Sequence, residues 1–223
     1  MNQALRDEKR ICFITCVNDE RKYEMCLARL KQLLLPENMR AEYIAVRQAK
    51  SMCAGYQQAM LMSNAKYKVY LHQDVLILDD SFVLRLLELF TNNKLCGIAG
   101  VVGSSNIPKE AVWWQGRMIG AIVDDWNGEM KDRRYNEAGH ACPVMALDGL
   151  LLATQYDVPW RTDIFDGWHF YDVSACMEFK RRGYWAATIG QPETSCAHIC
   201  GRASLNGYNY YRAQFIREYD GEY

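Results

Sequence analysis

The sequence predicts an α/β domain built on a parallel sheet, and three observations carry that expectation. Short apolar runs recur at residues 11–17, 42–47, 67–72 and 95–102, the pattern of strands buried on both faces. Between them lie stretches with apolar residues at helical spacing, each preceded by good capping residues. The order is β-α-β-α-β-α-β, which right-handed crossovers convert into parallel pairing.

Ile11 to Val17 is the first strand. Asn18 and Asp19 can cap a helix from about Arg21 to Leu35, on which Met25, Leu27, Leu30, Leu33 and Leu34 keep helical spacing before Pro36 stops it. Glu42 to Arg47 is the second strand. Ser51 caps a second helix whose shared face is Met52, Tyr56, Ala59, Met60 and Ser63. Tyr67 to His72 is the third strand, Asp79 to Ser81 cap a helix through Phe90, and Leu95 to Val102 is the fourth strand. Residues 104–142 mix Gly, Trp, Asn and charges, and irregular or hairpin structure is expected there, with a strand at Met118 to Val123. Pro143 to Thr154 again reads as strand. Tyr171 to Arg182 is a helix with Asp172 in its first turn, Lys180, Arg181 and Arg182 in its last, and Gly183 after it, as dipole and capping rules favour. Tyr184 to Ile189 is one more strand, and a short helix is expected near Tyr211 to Glu218.

Composition narrows the function. The 223 residues are 50% hydrophobic by type, 12% aromatic and 24% charged, the proportions of a globular domain with one large core. The expectation is a single domain over 1–223. Lys plus Arg number 26 against 27 Asp plus Glu, a net charge of −1. Nucleic-acid binding usually leaves a basic excess, so no nucleic-acid partner is expected. No apolar run approaches the roughly 20 residues that span a bilayer, and Met1 to Arg10 is polar. A cytoplasmic protein without a transmembrane segment is expected, with peripheral contact to the inner membrane face left open. Nine scattered cysteines read as reduced thiols.

In open α/β sheets ligands bind beyond the carboxyl ends of the strands. That rule brings Cys16–Asp19, Arg47 and His72-Gln73-Asp74 to one edge. Asp172, at a helix start, reads either as a dipole-supporting carboxylate or as a general base toward a hydroxyl. A structural zinc site built from His140, Cys142, Cys196, His198 and Cys200 is a further reading, at spacings unlike those of standard zinc ligands. Trp113, Trp114, Trp126, Trp160, Trp168 and Trp185 are either core or a stacking platform for a sugar or base. No G-x-G-x-x-G follows the first strand, and there is no G-x-x-x-x-G-K-[ST], which disfavours dinucleotide and P-loop chemistry.

Four segments carry a family resemblance: Ile14–Asp19, Ala54–Met60, Tyr70–Val75, and Asp148-Gly149 with Phe165–Asp172. Together they resemble family 2-type glycosyltransferases of the GT-A fold, in particular the compact StrF-like group. The resemblance implies a mostly parallel central sheet flanked by helices. It implies a nucleotide-binding half over about 1–103 and an acceptor-side half over about 104–223. Thr15, Asn18, Asp19, Arg47, Tyr56 and Gln73 would bind the nucleotide. Asp148, Gly149, Trp168 and His169 would face the sugar and acceptor. Asp74 and His198 would hold Mn²⁺ or Mg²⁺, and Asp172 would be the base of an inverting transfer from a nucleoside-diphosphate sugar to a hydroxyl acceptor.

The chain departs from the family pattern at three positions. His72 replaces the first carboxylate of D-x-D, a form typical of the StrF-like group. Tyr171 replaces the usual Glu before the base, and Ser174 an acidic residue two positions after it. These departures motivate a rival expectation, a catalytically inactive GT-A-like protein that binds a nucleotide sugar or acts as a scaffold.

Overall fold

The computed structural model of the protein describes residues 6–125, 128–201 and 204–223; Trp126 lies outside them. The chain opens with β1 (Asp7–Val17), whose stretch from Ile11 to Thr15 is buried. Asp19 then caps α1 (Glu20–Leu30), its carboxylate accepting from the amides of Arg21 and Lys22. The helix ends at Leu30, before the expected Leu35. It buries Tyr23, Cys26 and Leu30 and leaves Met25 and Leu34 exposed. Two faces of this segment carry apolar residues at helical spacing, and the one that contains Tyr and Cys packs inward.

Next come β2 (Arg40–Arg47), α2 (Met52–Met62), β3 (Ala65–Leu71) and β4 (Val75–Ile77). The cap of α2 forms as expected, with the amide of Ala54 donating to Ser51 Oγ at 3.1 Å, and the helix buries Met52, Tyr56, Ala59 and Met60. Then follow α3 (Phe82–Asn92), β5 (Cys96–Gly100), β6 (Val102–Ser104), β7 (Met118–Asp124) and β8 (Lys131–Arg134). The remaining elements are β9 (Cys142–Val144), β10 (Ala146–Leu147), β11 (Leu151–Thr154), α4 (Tyr171–Arg181), β12 (Trp185–Thr188), β13 (Cys196–His198) and α5 (Tyr208–Glu218).

The central sheet has the order β2-β1-β3-β11-β5-β12-β9. β1 runs parallel to β2 and β3, and β12 parallel to β5. β11 pairs antiparallel with both β3 and β5, and β9 antiparallel with β12. The sheet is therefore mixed rather than mostly parallel, because a strand from the second half enters its middle. The apolar run 143–154 is three strands: β9 at the sheet edge, β10 in a second sheet, and β11 in the centre. The expected strand 95–102 likewise divides, and β6 joins the second sheet, ordered β10-β6-β7-β13-β4 with β8 on β7.

Helices cover both faces of the central sheet. One apolar core joins it to α2 and α4 through Tyr56, Tyr70, Phe165 and Met177. The other joins it to α1 and α3 through Phe13, Leu71, Phe82 and Phe90. Burial on both faces makes the central strands read as continuous apolar runs. Polar groups are displaced to the strand ends, where the site forms.

Candidate active site

The carboxyl ends of β1 and β3 lie side by side, since Ile14 pairs with Tyr70 in parallel register. The polar triplet His72-Gln73-Asp74 fills the turn from β3 to β4. Gln73 closes that turn onto the loop after β1. Its Oε1 accepts from the amides of Asn18 and Asp19, each at 2.9 Å, and its amide nitrogen donates to Asn18 Oδ1. Arg47 ends β2 opposite Val17, and its guanidinium pairs with Glu20 at 2.6 and 2.9 Å. The three segments expected at one edge do converge.

β13 completes the cluster. It pairs antiparallel with β4, with His198 opposite Val75, and the amide of Ile199 donates to the Asp74 carbonyl at 2.9 Å. His198 Nε2 then stands 3.3 Å from Asp74 Oδ1 and 3.3 Å from His72 Nδ1. One donor atom from each of His72, Asp74 and His198 lies within 4.8 Å of the others. Ligands about 2.2 Å from one ion at right angles are about 3.1 Å apart, so this spacing suits one cation. The donor set, two imidazoles and a carboxylate, matches Mn²⁺ and other divalent first-row metals. The fit enlarges the expected pair Asp74 and His198 by His72. The other oxygen of Asp74 accepts from Lys22 Nζ at 3.1 Å.

Charge follows this geometry. Burial opposes ionisation of Asp74, yet the contacts to His198 and Lys22 hold its carboxyl well below the usual range. Burial also opposes a charge on His198, but the Asp74 carboxylate raises its pKa well above the ordinary value. His72 is pressed toward its neutral form by burial and by the His198 charge. Anionic Asp74 and neutral His72 are in the state a metal needs from its ligands, and His198 would have to release its proton when a cation binds.

The candidate base approaches from the other side. Asp172 lies in the first turn of α4, a helix entered through Phe170 at φ 62°. Its Oδ2 accepts from the Gly149 amide at 3.0 Å and its Oδ1 from the Val173 amide at 2.8 Å. Burial and the nearby Asp148 charge push the Asp172 carboxyl up to about 7. Burial raises Asp148 as well. Asp148 Oδ1 accepts from the Leu150 amide at 3.0 Å, and the Leu150 carbonyl accepts from the His72 amide at 3.0 Å. The turn 148–150 thus spans from the His72, Asp74 and His198 cluster to Asp172.

Tyr171, beside the base, is buried and reaches back to the cluster. Its hydroxyl lies 2.5 Å from His72 Nε2. Its ring leaves no room for a Cβ at position 149, so only glycine fits there. Beneath it, the ring centroid of Tyr56 is 5.9 Å from that of Tyr171 and 5.0 Å from those of Tyr70 and Trp160.

The expected site residues take different places in the structure. Asn18, Asp19, Arg47, Gln73, Asp74, Asp148, Gly149, Asp172 and His198 are gathered at the strand ends or around the base. Thr15 is buried in β1 and Tyr56 is fully buried in α2, behind the strand-end cluster. Trp168 is 52% exposed. His169 Nε2 is 3.1 Å from the Asn206 carbonyl, and its ring packs on Tyr208 with centroids 5.6 Å apart.

The proposed zinc set does not assemble. Cys196 is buried in β13, and among the described residues the one group of three or more metal-ligating side chains is His72, Asp74 and His198. Of the tryptophans, Trp113 and Trp160 are core, while Trp114 and Trp168 are exposed. Lys22 escaped the sequence reading because nothing distinguishes it among 26 basic residues. His72 belongs to the polar triplet that the sequence places at the ligand-binding edge, and the structure adds it to the expected ligand pair Asp74 and His198.

The profile of the "Glycosyltransferase like family" matches residues 12–219. No curated protein sequence matches the chain. The mannosyltransferase PcManGT from Pyrobaculum calidifontis, solved with GDP-Man and Mn²⁺, superposes with a TM-score of 0.59 at 11% identity, over 97% of this chain and 65% of that one. S. aureus TarS 1–349 with UDP gives 0.58 at 8%, over 96% and 67%. GalNAc-T7 with UDP, GalNAc and Mn²⁺ gives 0.64 at 7%, over 96% and 48%. The chain thus spans between about half and two thirds of the length of these structures. Among the described residues no helix is long and apolar enough to cross a membrane. The profile match covers nearly the whole chain, and the chain belongs to the glycosyltransferase-like family, on a GT-A fold of the family-2 type.

Proposed function

We propose that the protein transfers a hexosyl group from a nucleoside-diphosphate sugar to a hydroxyl acceptor with inversion, and that it belongs to the StrF-like group. The observation that carries this reading is the arrangement around residues 148–150. Three potential cation ligands stand at one end of that turn, and a carboxylate raised to about 7 stands at the other.

In this reading residues 1–103 hold the donor. Asn18, Asp19, Gln73 and Arg47 border its nucleoside, with Thr15 and Tyr56 supporting the strand and helix behind them. His72, Asp74 and His198 hold a divalent cation, Mn²⁺ or Mg²⁺, which when bound neutralises charge on the departing diphosphate. Residues 104–223 receive the acceptor, with Trp168 and His169 at its mouth and Asp148 and Gly149 setting the base. Asp172 takes the proton of the acceptor hydroxyl. That oxygen forms the new bond to the anomeric carbon, and the bond to the diphosphate oxygen breaks with its electron pair leaving on the nucleotide. Attack and departure on opposite faces invert the centre.

The inactive alternative draws on His72, Tyr171 and Ser174. The first two are engaged in the site, bonded to each other at 2.5 Å, which favours the catalytic reading. The test is a thermal-shift screen of nucleoside diphosphates and their sugars with and without Mn²⁺. Saturation at 100 times Kd adds about 2.7 kcal/mol to a protein that binds the ligand only when folded. The reading expects one nucleotide family to stabilise the protein, more strongly with Mn²⁺. No shift with any of them would leave only the architecture.

A further inference from the structure

We infer that Tyr171 is the positioning residue that makes the cation site and the base one rigid unit, by fixing the ring and tautomer of His72. This rests on the reading that His72, Asp74 and His198 hold a divalent cation.

His72 presents its two ring nitrogens to different neighbours. Nδ1 faces the cluster, 3.3 Å from His198 Nε2. Nε2 faces the Tyr171 hydroxyl at 2.5 Å. A neutral histidine that offers Nδ1 to a cation carries its proton on Nε2, and that proton needs an acceptor. The Tyr171 oxygen is placed to accept it.

Tyr171 itself has little freedom. Its side chain is buried, its ring is packed against Tyr56, and it closes on the backbone of Gly149. The same Gly149 donates its amide to Asp172. One side chain therefore touches the outer nitrogen of a cation ligand and the peptide that orients the base. A glutamate at this position, which the family resemblance leads one to expect, has no ring to pack on Gly149. The tyrosine does both tasks, and it accompanies a histidine at the first place of the triplet.

The test uses the full chain and MnCl₂ alone, with free Mn²⁺ read by electron paramagnetic resonance. Tyr171→Phe keeps the ring on Gly149 and removes the acceptor. Loss of such an outer partner typically weakens metal affinity about 10- to 100-fold, and that loss is the expected result. Equal affinity of variant and wild type, within twofold, would overturn the inference while leaving the cation site standing.

A second measurement needs no variant. The ¹⁵N shifts of the His72 ring in the metal-free protein at neutral pH should report the Nε2–H tautomer. The Nδ1–H tautomer would contradict the inference, whether or not Tyr171→Phe folds. Failure of wild-type protein to bind Mn²⁺ would instead remove the cation reading, and with it the role assigned here to Tyr171.

Discussion

The Gly149 amide donates to Asp172 Oδ2 at 3.0 Å, so a strand-end peptide fixes the carboxylate at the start of α4. The bond opposes the burial that pushes this carboxyl up. It leaves Asp172 titrating near neutrality, where a general base is most effective.

Activity should therefore rise with pH through an acidic limb near 7, because Asp172 must be ionised to accept a proton. A pH–rate profile under limiting substrate measures it, and a limb near 4 would contradict the shift. Stability should run the other way. A folded-state pKa above the unfolded value of about 4 favours the protonated folded form. The associated stability is complete below about 4 and is lost as pH rises through about 7. In Asp172→Asn the fall in melting temperature between pH 5 and pH 8 should be smaller than in wild type.

Gly149→Ala should damage activity more than its size implies. The added methyl collides with the Tyr171 hydroxyl and ring, and overpacking of this kind costs about 1–3 kcal/mol. The base and His72 would move together. The expected outcome is a folded protein with a lowered melting temperature and at least about a tenfold loss of turnover, since small misplacement of reacting groups is costly. Wild-type kinetics in this variant would mean that the close approach is not required.

Asp74→Asn and His198→Ala should each abolish the extra thermal stabilisation that Mn²⁺ gives to nucleotide-bound protein. Chelation of wild type should reproduce the loss. A Mn²⁺ effect that survives both substitutions would place the cation elsewhere.

Glu178→Gln should loosen the C-terminal helix. The Glu178 carboxylate is buried and accepts from Arg161, Arg181, Arg182 and the Tyr219 hydroxyl at 2.7–3.2 Å. Arg161 and Arg181 also reach Glu218 on α5. Losing charge-assisted hydrogen bonds to a buried carboxylate whose arginine partners are partly exposed costs about 1.5–3 kcal/mol, and chemical denaturation at pH 7 measures it. Burial alone would raise the pKa of Glu178, but these donors lower it. The stability it provides is thus present at neutral pH and is lost as pH falls below the usual carboxylate range. The gap between variant and wild type should close in acid. The same change should also impair acceptor use, because α5 carries Tyr208, which packs against His169 and Phe170 just ahead of the base.

Much of the first half of the chain was legible in the sequence because it is made of local signals. Buried strands read as apolar runs, Asp19 and Ser51 read as caps, and the polar triplet after β3 stood out against the apolar strand before it. The centre of the sheet was not legible. In the run from Pro143 to Thr154 only Asp148-Gly149 marks a break, the one at Met145 is unmarked, and antiparallel insertion of β11 depends on non-local pairing that periodicity does not encode. The second sheet is assembled from strands of two to seven residues, most of them too short to show alternation. His198 could be placed near Asp74 only through the family resemblance, since 124 positions of chain separate them and the β4–β13 pairing that joins them is invisible in sequence. Tyr171 and His72 read in the sequence as separate departures from the family pattern. Their meaning lies in the bond between them.

The most direct test of the account compares wild type with Asp172→Asn on the nucleotide sugar that stabilises the protein best. Donor affinity and nucleotide release to water as acceptor are measured on the same samples with Mn²⁺. The account predicts donor affinity unchanged within about twofold and release lowered about 10²- to 10⁴-fold, the range a positioned general base supplies. Release at the wild-type rate in Asp172→Asn would contradict the assignment of the base and, with it, the proposed mechanism.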